Sequence, residues 1–212
     1  ARSIDQRIAD RSETRSLLSA SDTTLLIKLA VVGAGALAPG ALRVTVAPGV
    51  KLPTGAYRQR DEFGRLPPPT QIGTGTFDAV LMLLAAFGLD GEAGRWLLLG
   101  SALGRYAAEN SEGYRAGHSL ELASVVQLQL PELAPFALRL GPWLRLTAPD
   151  EQNDVELGAS GNTLLGARAG ALCTLSEQLA LGLELLLPIY KDLRGEQLEP
   201  IATASLGVLL SL

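Results

Sequence analysis

Apolar and polar residues alternate with a period of two along much of the 212-residue chain. Between positions 41 and 53, Leu42, Val44 and Val46 fall on one face, while Arg43 and Thr45 fall on the other. Successive side chains of a strand point to opposite sides of a sheet, so this pattern predicts a two-faced β-strand. A helical interpretation fails in the leucine-rich stretch 178–190, because its leucines would surround the whole helix.

The same alternation predicts nine strands, and the segment 11–20 is a candidate tenth strand within an N-terminal segment 1–20. Most of the nine are ten residues or longer, which is long for a soluble sheet and suits a tilted crossing of a lipid bilayer. The predicted strands are 24–32, 41–53, 76–88, 95–107, 118–130, 134–147, 162–173, 178–190 and 201–212.

The predicted connections alternate in length. Short ones at 33–40, 89–94, 131–133 and 174–177 alternate with long ones at 54–73, 108–117, 148–161 and 191–199. Outer-membrane barrels have short turns at one end and long loops at the other.

An outward row of leucines on every strand would leave a very large exposed apolar surface unless lipid or another sheet covers it. We therefore predict one all-β domain over 1–212, an antiparallel transmembrane β-barrel of about ten strands, or twelve if further strands precede them. The alternative is a soluble two-sheet sandwich in which the apolar faces meet.

Charge and composition exclude several other classes. The net charge is −4, with both signs interspersed, so the chain has no basic stripe that would bind nucleic acid. No apolar run approaches the roughly 20 residues of a membrane helix. The first ten residues lack the features of a signal peptide, as expected of a mature or truncated chain, so export is inferred from the predicted barrel alone.

Six short segments occur in a characteristic order along 24–212. They are GVKLPTG at 49–55, LPP at 66–68, QIGTGTFD at 71–78, YRAG at 114–117, GASGNT at 158–163 and LPIYKDLRGEQL at 187–198. In these segments the chain resembles the phenol-degradation meta-pathway family of outer-membrane transporter proteins. The resemblance implies a bacterial outer-membrane barrel that passes small solutes, hydrophobic ones among them. The sequence has no motif for energy coupling, so we expect passage by diffusion.

Two features depart from that family's pattern. Aromatic residues make up only 5% of the chain, and the last residue is Leu212 rather than Phe.

Charged and amide side chains recur on the less apolar face of the strands, which would line the lumen of a barrel. Opposite charges there are placed to pair across neighbouring strands, either as interior packing or as a selectivity lining. The predicted lumen-lining residues are Lys28, Arg43, Lys51, Asp78, Arg95, Arg105, Glu121, Gln127, Gln129, Arg139, Arg145, Arg168 and Glu184.

The same face also carries apolar residues such as Val80, Met82, Leu84 and Leu97. Three interpretations stay open: a narrow barrel with a packed interior, a conduit for apolar molecules, or an engineered sequence. The alternative to a channel is therefore a structural or designed barrel that anchors or ensheathes a partner without conducting.

No constellation of residues predicts catalysis. His118 is the single histidine, and the adjacent Ser119 points to the opposite face of its strand. Cys173 is the single cysteine, so neither a disulfide nor a cysteine metal site is expected within the chain. We expect no enzymatic activity, cofactor or metal; the expected partners are the lipid bilayer and small-molecule solutes, and the oligomeric state is left open.

Overall fold

The computed structural model describes residues 2–8, 11–17, 21–33, 37–61, 64–66, 71–91, 94–176, 178–195, 197 and 199–210. Within these ranges the regular elements are strands, apart from one 3-10 turn at Pro131–Leu133. None of the described residues belongs to a helix long and apolar enough to cross a membrane.

The strands in chain order are β1 (Arg2–Ile8), β2 (Arg11–Leu17), β3 (Thr23–Leu26), β4 (Leu29–Val32), β5 (Leu42–Leu52), β6 (Arg60–Asp61), β7 (Gly64–Arg65), β8 (Asp78–Gly91), β9 (Gly94–Ala107), β10 (Tyr114–Arg115), β11 (Ser119–Gln129), β12 (Phe136–Thr147), β13 (Glu151–Gln152), β14 (Val155–Glu156), β15 (Asn162–Thr174), β16 (Leu179–Leu193) and β17 (Thr203–Leu210).

One large antiparallel sheet dominates the structure, and it curls into a half-barrel. Its order is β17-β16-β15-β12-β11-β9-β8-β5-β3, and β4 pairs beside β3 along the same edge of β5. The sheet has ten strands in nine positions, because β3 and β4 share one position beside β5. With β3 and β4 taken together, each strand pairs with the strand of this sheet that precedes or follows it in the chain. Among the described residues, β17 pairs only with β16, and β3 and β4 pair only with β5.

The nine predicted strands correspond to this sheet. The predicted strand 24–32 is divided, because the chain leaves the ladder between Leu26 and Leu29. The candidate tenth strand forms over Arg11–Leu17, but it pairs with Arg2–Ile8 in a separate two-stranded hairpin. The end of the predicted last strand, 211–212, lies outside the described residues. The predicted all-β antiparallel architecture is confirmed.

Glycines on the concave face allow the sheet to curl. A Cβ added at Gly141 would lie 1.8 Å from the carbonyl oxygen of Ser124 on the neighbouring strand. A Cβ at Gly166 would lie 2.2 Å from the carbonyl oxygen of Leu187 and 2.6 Å from Nε1 of Trp143. Both positions lie where one strand bends over the next, so only glycine permits this curvature.

The two faces of the sheet differ in burial. The convex face carries apolar side chains that are exposed, whereas the concave face holds small and apolar side chains together with charged ones. Exposed convex residues include Leu81, Leu83, Leu98, Leu120, Leu122, Val126, Leu138, Leu140, Leu183, Leu185, Leu187 and Ile189. Buried concave residues include Ala47, Val80, Ala107, Ala123, Val125, Ala137, Trp143 and Leu164.

Short and long connections alternate as predicted, and part of the long-loop end is itself ordered as a sheet. There β10 pairs with β13 and β13 with β14, which joins the loops that follow β9 and β12. The turn between β13 and β14 has two residues with positive φ, Asn153 at 50° and Asp154 at 61°. Positive φ at both central residues defines the turn type that matches the twist of a tight hairpin.

Candidate functional site

A buried charge network centred on Lys51 lies on the concave face at the long-loop end. The Lys51 Nζ lies 2.7 Å from Asp22 Oδ2 and 3.2 Å from Asp78 Oδ2. It also donates to the hydroxyls of Thr74, at 2.5 Å, and of Thr76, at 3.2 Å. Burying a single ammonium is costly unless charges and hydrogen bonds surround it, and this site supplies both.

The same network ties the long loop after β5 to the start of the sheet. Asp22 accepts hydrogen bonds from the backbone N–H of Gly55, at 2.9 Å, and of Thr74, at 3.1 Å. Burial raises the pKa of the Asp22 carboxyl, but Lys51 and these two N–H groups outweigh that effect and leave the pKa below its ordinary value. In its ionised form, Asp22 therefore binds both ends of this loop, at Gly55 and at Thr74.

A second polar group joins the loops after β9 and β12. The Tyr114 hydroxyl donates to Asp150 at 2.8 Å, and the backbone N–H of Gly117 donates to the same carboxylate at 2.7 Å. Burial and the Asp150 charge both raise the pKa of the Tyr114 phenol. Arg115 also pairs with Glu151 across β10 and β13. This end of the sheet is therefore fixed by side chains as well as by strand pairing.

Farther along the concave face lies a cavity of about 410 Å³. Its charged lining consists of four cations and one carboxylate, drawn from both edges of the half-barrel. Its apolar lining comes from the middle strands and includes Leu84, Leu99 and Val125. The charged residues are Lys28, Arg43, Arg139, Arg168 and Glu184.

Only one of these cations has a carboxylate partner among the described residues. Arg168 donates to Glu184 through Nε at 2.5 Å and Nη2 at 2.8 Å, which is a bidentate pair across β15 and β16. Arg139 donates to the amide oxygen of Gln127 at 2.8 Å, and Arg43 donates to the carbonyl oxygen of Gly33 at 3.3 Å. Both of these acceptors are neutral.

Between the cavity and the loop end, Glu121 and Arg145 stand directly opposite each other on β11 and β12. Arg145 donates to one Glu121 oxygen through Nε at 3.0 Å and Nη2 at 2.7 Å. The Arg145 guanidinium also lies 5.5 Å from the ring centroid of Trp143, which is a cation–π arrangement. The pairing of opposite charges across neighbouring strands is thus present in the structure.

The predicted lining residues do not form one site but fall into three groups. Lys51, Asp78 and Arg105 lie at the loop end, where Arg105 Nε is 3.8 Å from Asp78 Oδ2. Arg95 and Gln129 lie at the turn end, where Arg95 donates to the carbonyl oxygen of Leu37 and Gln129 is exposed. Those at the middle of the concave face are Lys28, Arg43, Glu121, Gln127, Arg139, Arg145, Arg168 and Glu184.

Tyr190 lies on the convex face, although strict alternation predicts the concave face for it. Strict alternation along 178–190 places Tyr190 with Glu184 on the concave side. The ladder slips by one residue between Leu165 and Gly166, so that Leu165 pairs with Tyr190 while Gly166 pairs with Pro188. Such a bulge moves the residues beyond it to the opposite face, and Tyr190 is 55% exposed beside Leu165.

Aromatic side chains collect near the strand ends, which composition alone did not reveal. Tyr106 and Tyr190 are exposed near the loop ends of β9 and β16, and Phe77 is exposed just before β8. Phe136 is exposed at the turn end of β12. Aromatic residues at both rims of an apolar band are typical of proteins that span a membrane.

His118 has a packing role. Its Nδ1 accepts the backbone N–H of Ala107 at 3.1 Å, and its ring stacks on Tyr106 with centroids 4.2 Å apart.

No protein-family model and no curated protein matches the chain. The resemblance to the phenol-degradation meta-pathway family therefore stays a prediction.

Proposed function

We propose that the chain forms the wall of a β-barrel in a bacterial outer membrane and passes small solutes, hydrophobic ones among them, by diffusion. The difference between the two sheet faces carries this proposal, because charged side chains lie on the concave face whereas the convex face is apolar. The convex side exposes large apolar residues along whole strands, with Leu140 at 64% and Ile189 at 76% exposure. So much exposed apolar surface is stable only when lipid or protein covers it, and the lipid bilayer is the cover that fits the rims of aromatic residues.

The concave side supports a solute path. Arg145, Glu121, Arg168 and Glu184 are partly exposed there, with side-chain exposures between 24% and 41%. The cavity beside them, about 410 Å³, falls within the range of about 300–1000 Å³ usual for small-molecule sites. A charged, accessible wall of this kind is typical of lumens that hold water.

Single-channel recording tests the proposal. The full chain, purified in detergent, is added to a planar lipid bilayer under a constant voltage. We expect discrete, stable current steps, and Glu121→Gln should shift the reversal potential in a salt gradient toward anion preference. Insertion without any current contradicts the channel, and failure to insert contradicts the membrane location.

A second candidate is a barrel that conducts nothing and serves a structural role. Ala123, Trp143 and Leu164 form a buried cluster on the concave face, against which Leu186 and Leu193 pack. Side chains of this cluster would fill part of the barrel interior toward the loop end. Insertion into the bilayer without current, together with a resistant core in limited proteolysis, would favour this candidate.

A further inference from the structure

Three cations of the concave cavity have no carboxylate partner within the described part of the chain. Lys28 makes no hydrogen bond or ion pair there, and Arg43 and Arg139 bond only to neutral oxygens. The Nη groups of Arg43 and Arg139 and the Nζ of Lys28 have no partner among the described residues, so all three can donate to a bound molecule. The unused positive charge is concentrated in one cavity of a protein whose overall charge is negative.

The balance of charge in the cavity favours an anion. Four cationic side chains and one carboxylate line it, which leaves a formal excess of three positive charges. Arg168 is already satisfied by Glu184. Guanidinium groups bind carboxylates and phosphates through paired hydrogen bonds, so arginines at such positions recognise an oxyanion of this kind.

Apart from the hydroxyl side chains of Thr45 and Ser101, the rest of the cavity lining is apolar or glycine. Leu84, Leu99, Ala123 and Val125 provide walls that cannot hydrogen-bond through their side chains. Such walls favour a ligand that has an apolar body beside its charged group. A small inorganic anion would leave these walls in contact with water.

We propose that this cavity binds small organic monocarboxylates, with the carboxylate held by Arg43, Arg139 and Lys28 and the apolar body against Leu84, Leu99 and Val125. This inference rests on the proposed function, because it names the class of solute that the barrel would pass. The cavity, of about 410 Å³, has room for a monocarboxylate with an apolar body.

Calorimetric titration tests the site without any need for conduction. The full chain in lipid nanodiscs is titrated with hexanoate, and the same titration is made with hexan-1-ol, hexylamine and acetate. We expect hexanoate to bind at least tenfold more tightly than each of the other three. Equal binding of hexanoate and hexan-1-ol overturns the proposal, because the cations would then contribute nothing.

Substitutions locate the site. Arg43→Gln/Arg139→Gln should weaken hexanoate binding at least tenfold, and Lys28→Gln should weaken it severalfold. Lys28 has no partner among the described residues, so Lys28→Gln breaks no contact there and should fold. It therefore tests the site if the double variant does not fold. Arg58→Gln is the matched control, because Arg58 lies at the loop end and pairs with Glu112. Unchanged binding in Lys28→Gln and in the folded double variant overturns the proposal.

Bilayer recording of the same preparation separates the two proposals. Hexanoate binding without current would reject the channel and keep the site. Current without specific hexanoate binding would reject the site and keep the channel.

Discussion

Lys51 and Asp78 stand directly opposite each other on β5 and β8, with Nζ and Oδ2 3.2 Å apart and both side chains almost fully buried. The pair joins the two strands that flank the first long loop, and Lys51 also donates to Thr74 and Thr76 at the end of that loop. Asp78 is 1% exposed, so its charge depends on nearby cations for compensation, and Lys51 is nearer to its Oδ2 than Arg105, at 3.2 Å against 3.8 Å.

Replacement of that lysine should be severe. Lys51→Met leaves the carboxylates of Asp22 and Asp78 buried without their ammonium, and we expect a loss of about 3–5 kcal/mol in the free energy of unfolding. Urea unfolding of the chain in lipid vesicles measures this loss. Lys191→Met is the control, because its partner Glu199 is 66% exposed. This substitution should lower the free energy of unfolding by less than about 1 kcal/mol. Equal losses in the two variants would contradict the network's role.

The lowered pKa of Asp22 predicts a dependence on pH. A carboxyl with a lower pKa in the folded state adds stability above its unfolded pKa of 3.8, and this stability is lost as the pH falls through the folded value. Asp22→Asn should therefore destabilise the protein at pH 7 and have progressively less effect below pH 3.8. Unfolding curves of both proteins at several pH values measure the difference. A deficit that stays constant down to the lowest pH would show that ionisation of Asp22 is irrelevant.

Gly166, which pairs with Trp143 across β12 and β15, should not tolerate a side chain. Gly166→Val places new atoms where the carbonyl oxygen of Leu187 and the indole of Trp143 already lie, and we expect a loss of about 1–3 kcal/mol or a failure to fold. Gly100→Ala is the matched control, since the nearest atom to its new Cβ is 3.9 Å away. The shift of folded and unfolded bands on an unheated gel reports both variants. Equal folding of the two would show that the sheet does not need this close approach.

Lipid contact can be tested on the convex face. Leu140→Arg, near the middle of β12, should cost about 2–4 kcal/mol if the side chain lies in the hydrocarbon layer. Val155→Arg, in the loop-end hairpin, is similarly exposed at 65% and should change stability little. Vesicle-based unfolding distinguishes these outcomes, and a negligible effect of Leu140→Arg would indicate that water covers this face.

Glu121 and Arg145 should affect selectivity more than stability. Their side chains are 28% and 41% exposed, so a double-mutant cycle should give a coupling below about 1 kcal/mol. The charge-swapped variant Glu121→Arg/Arg145→Glu should keep the fold and the reversal potential near the native value. A large stability loss in that variant would show that the pair serves packing instead.

The period of two was sufficient to predict most of the large sheet, because one face of each strand is apolar over its whole length. It placed Glu121 and Arg145 on the same, inward face, but their position opposite each other depends on the strand register, which the period does not give. Alternation failed at Tyr190, since a bulge depends on backbone pairing between two strands. The one local signal was Pro188 at the register shift, because proline inside a strand is typical of an edge or a bulge.

The loop-end network was only partly predictable. Lys51 and Asp78 were found from their positions on strands, but Asp22, Thr74 and Tyr114 lie in segments without periodicity. Their role comes from loops that return to the sheet, and contacts between residues so distant in sequence have no local signal. The excess of cations in the cavity likewise appears only when strands from both edges curl toward each other.

The order of the sheet has a geometric consequence. Eight antiparallel pairings separate β3 from β17, so these two outer strands run in the same direction. Joined directly, whether within one molecule or between two, they would make a parallel seam. If every strand of a closed ring is to run antiparallel to both of its neighbours, an odd number of further strands must lie between β3 and β17. The same rule holds whichever molecule supplies those strands.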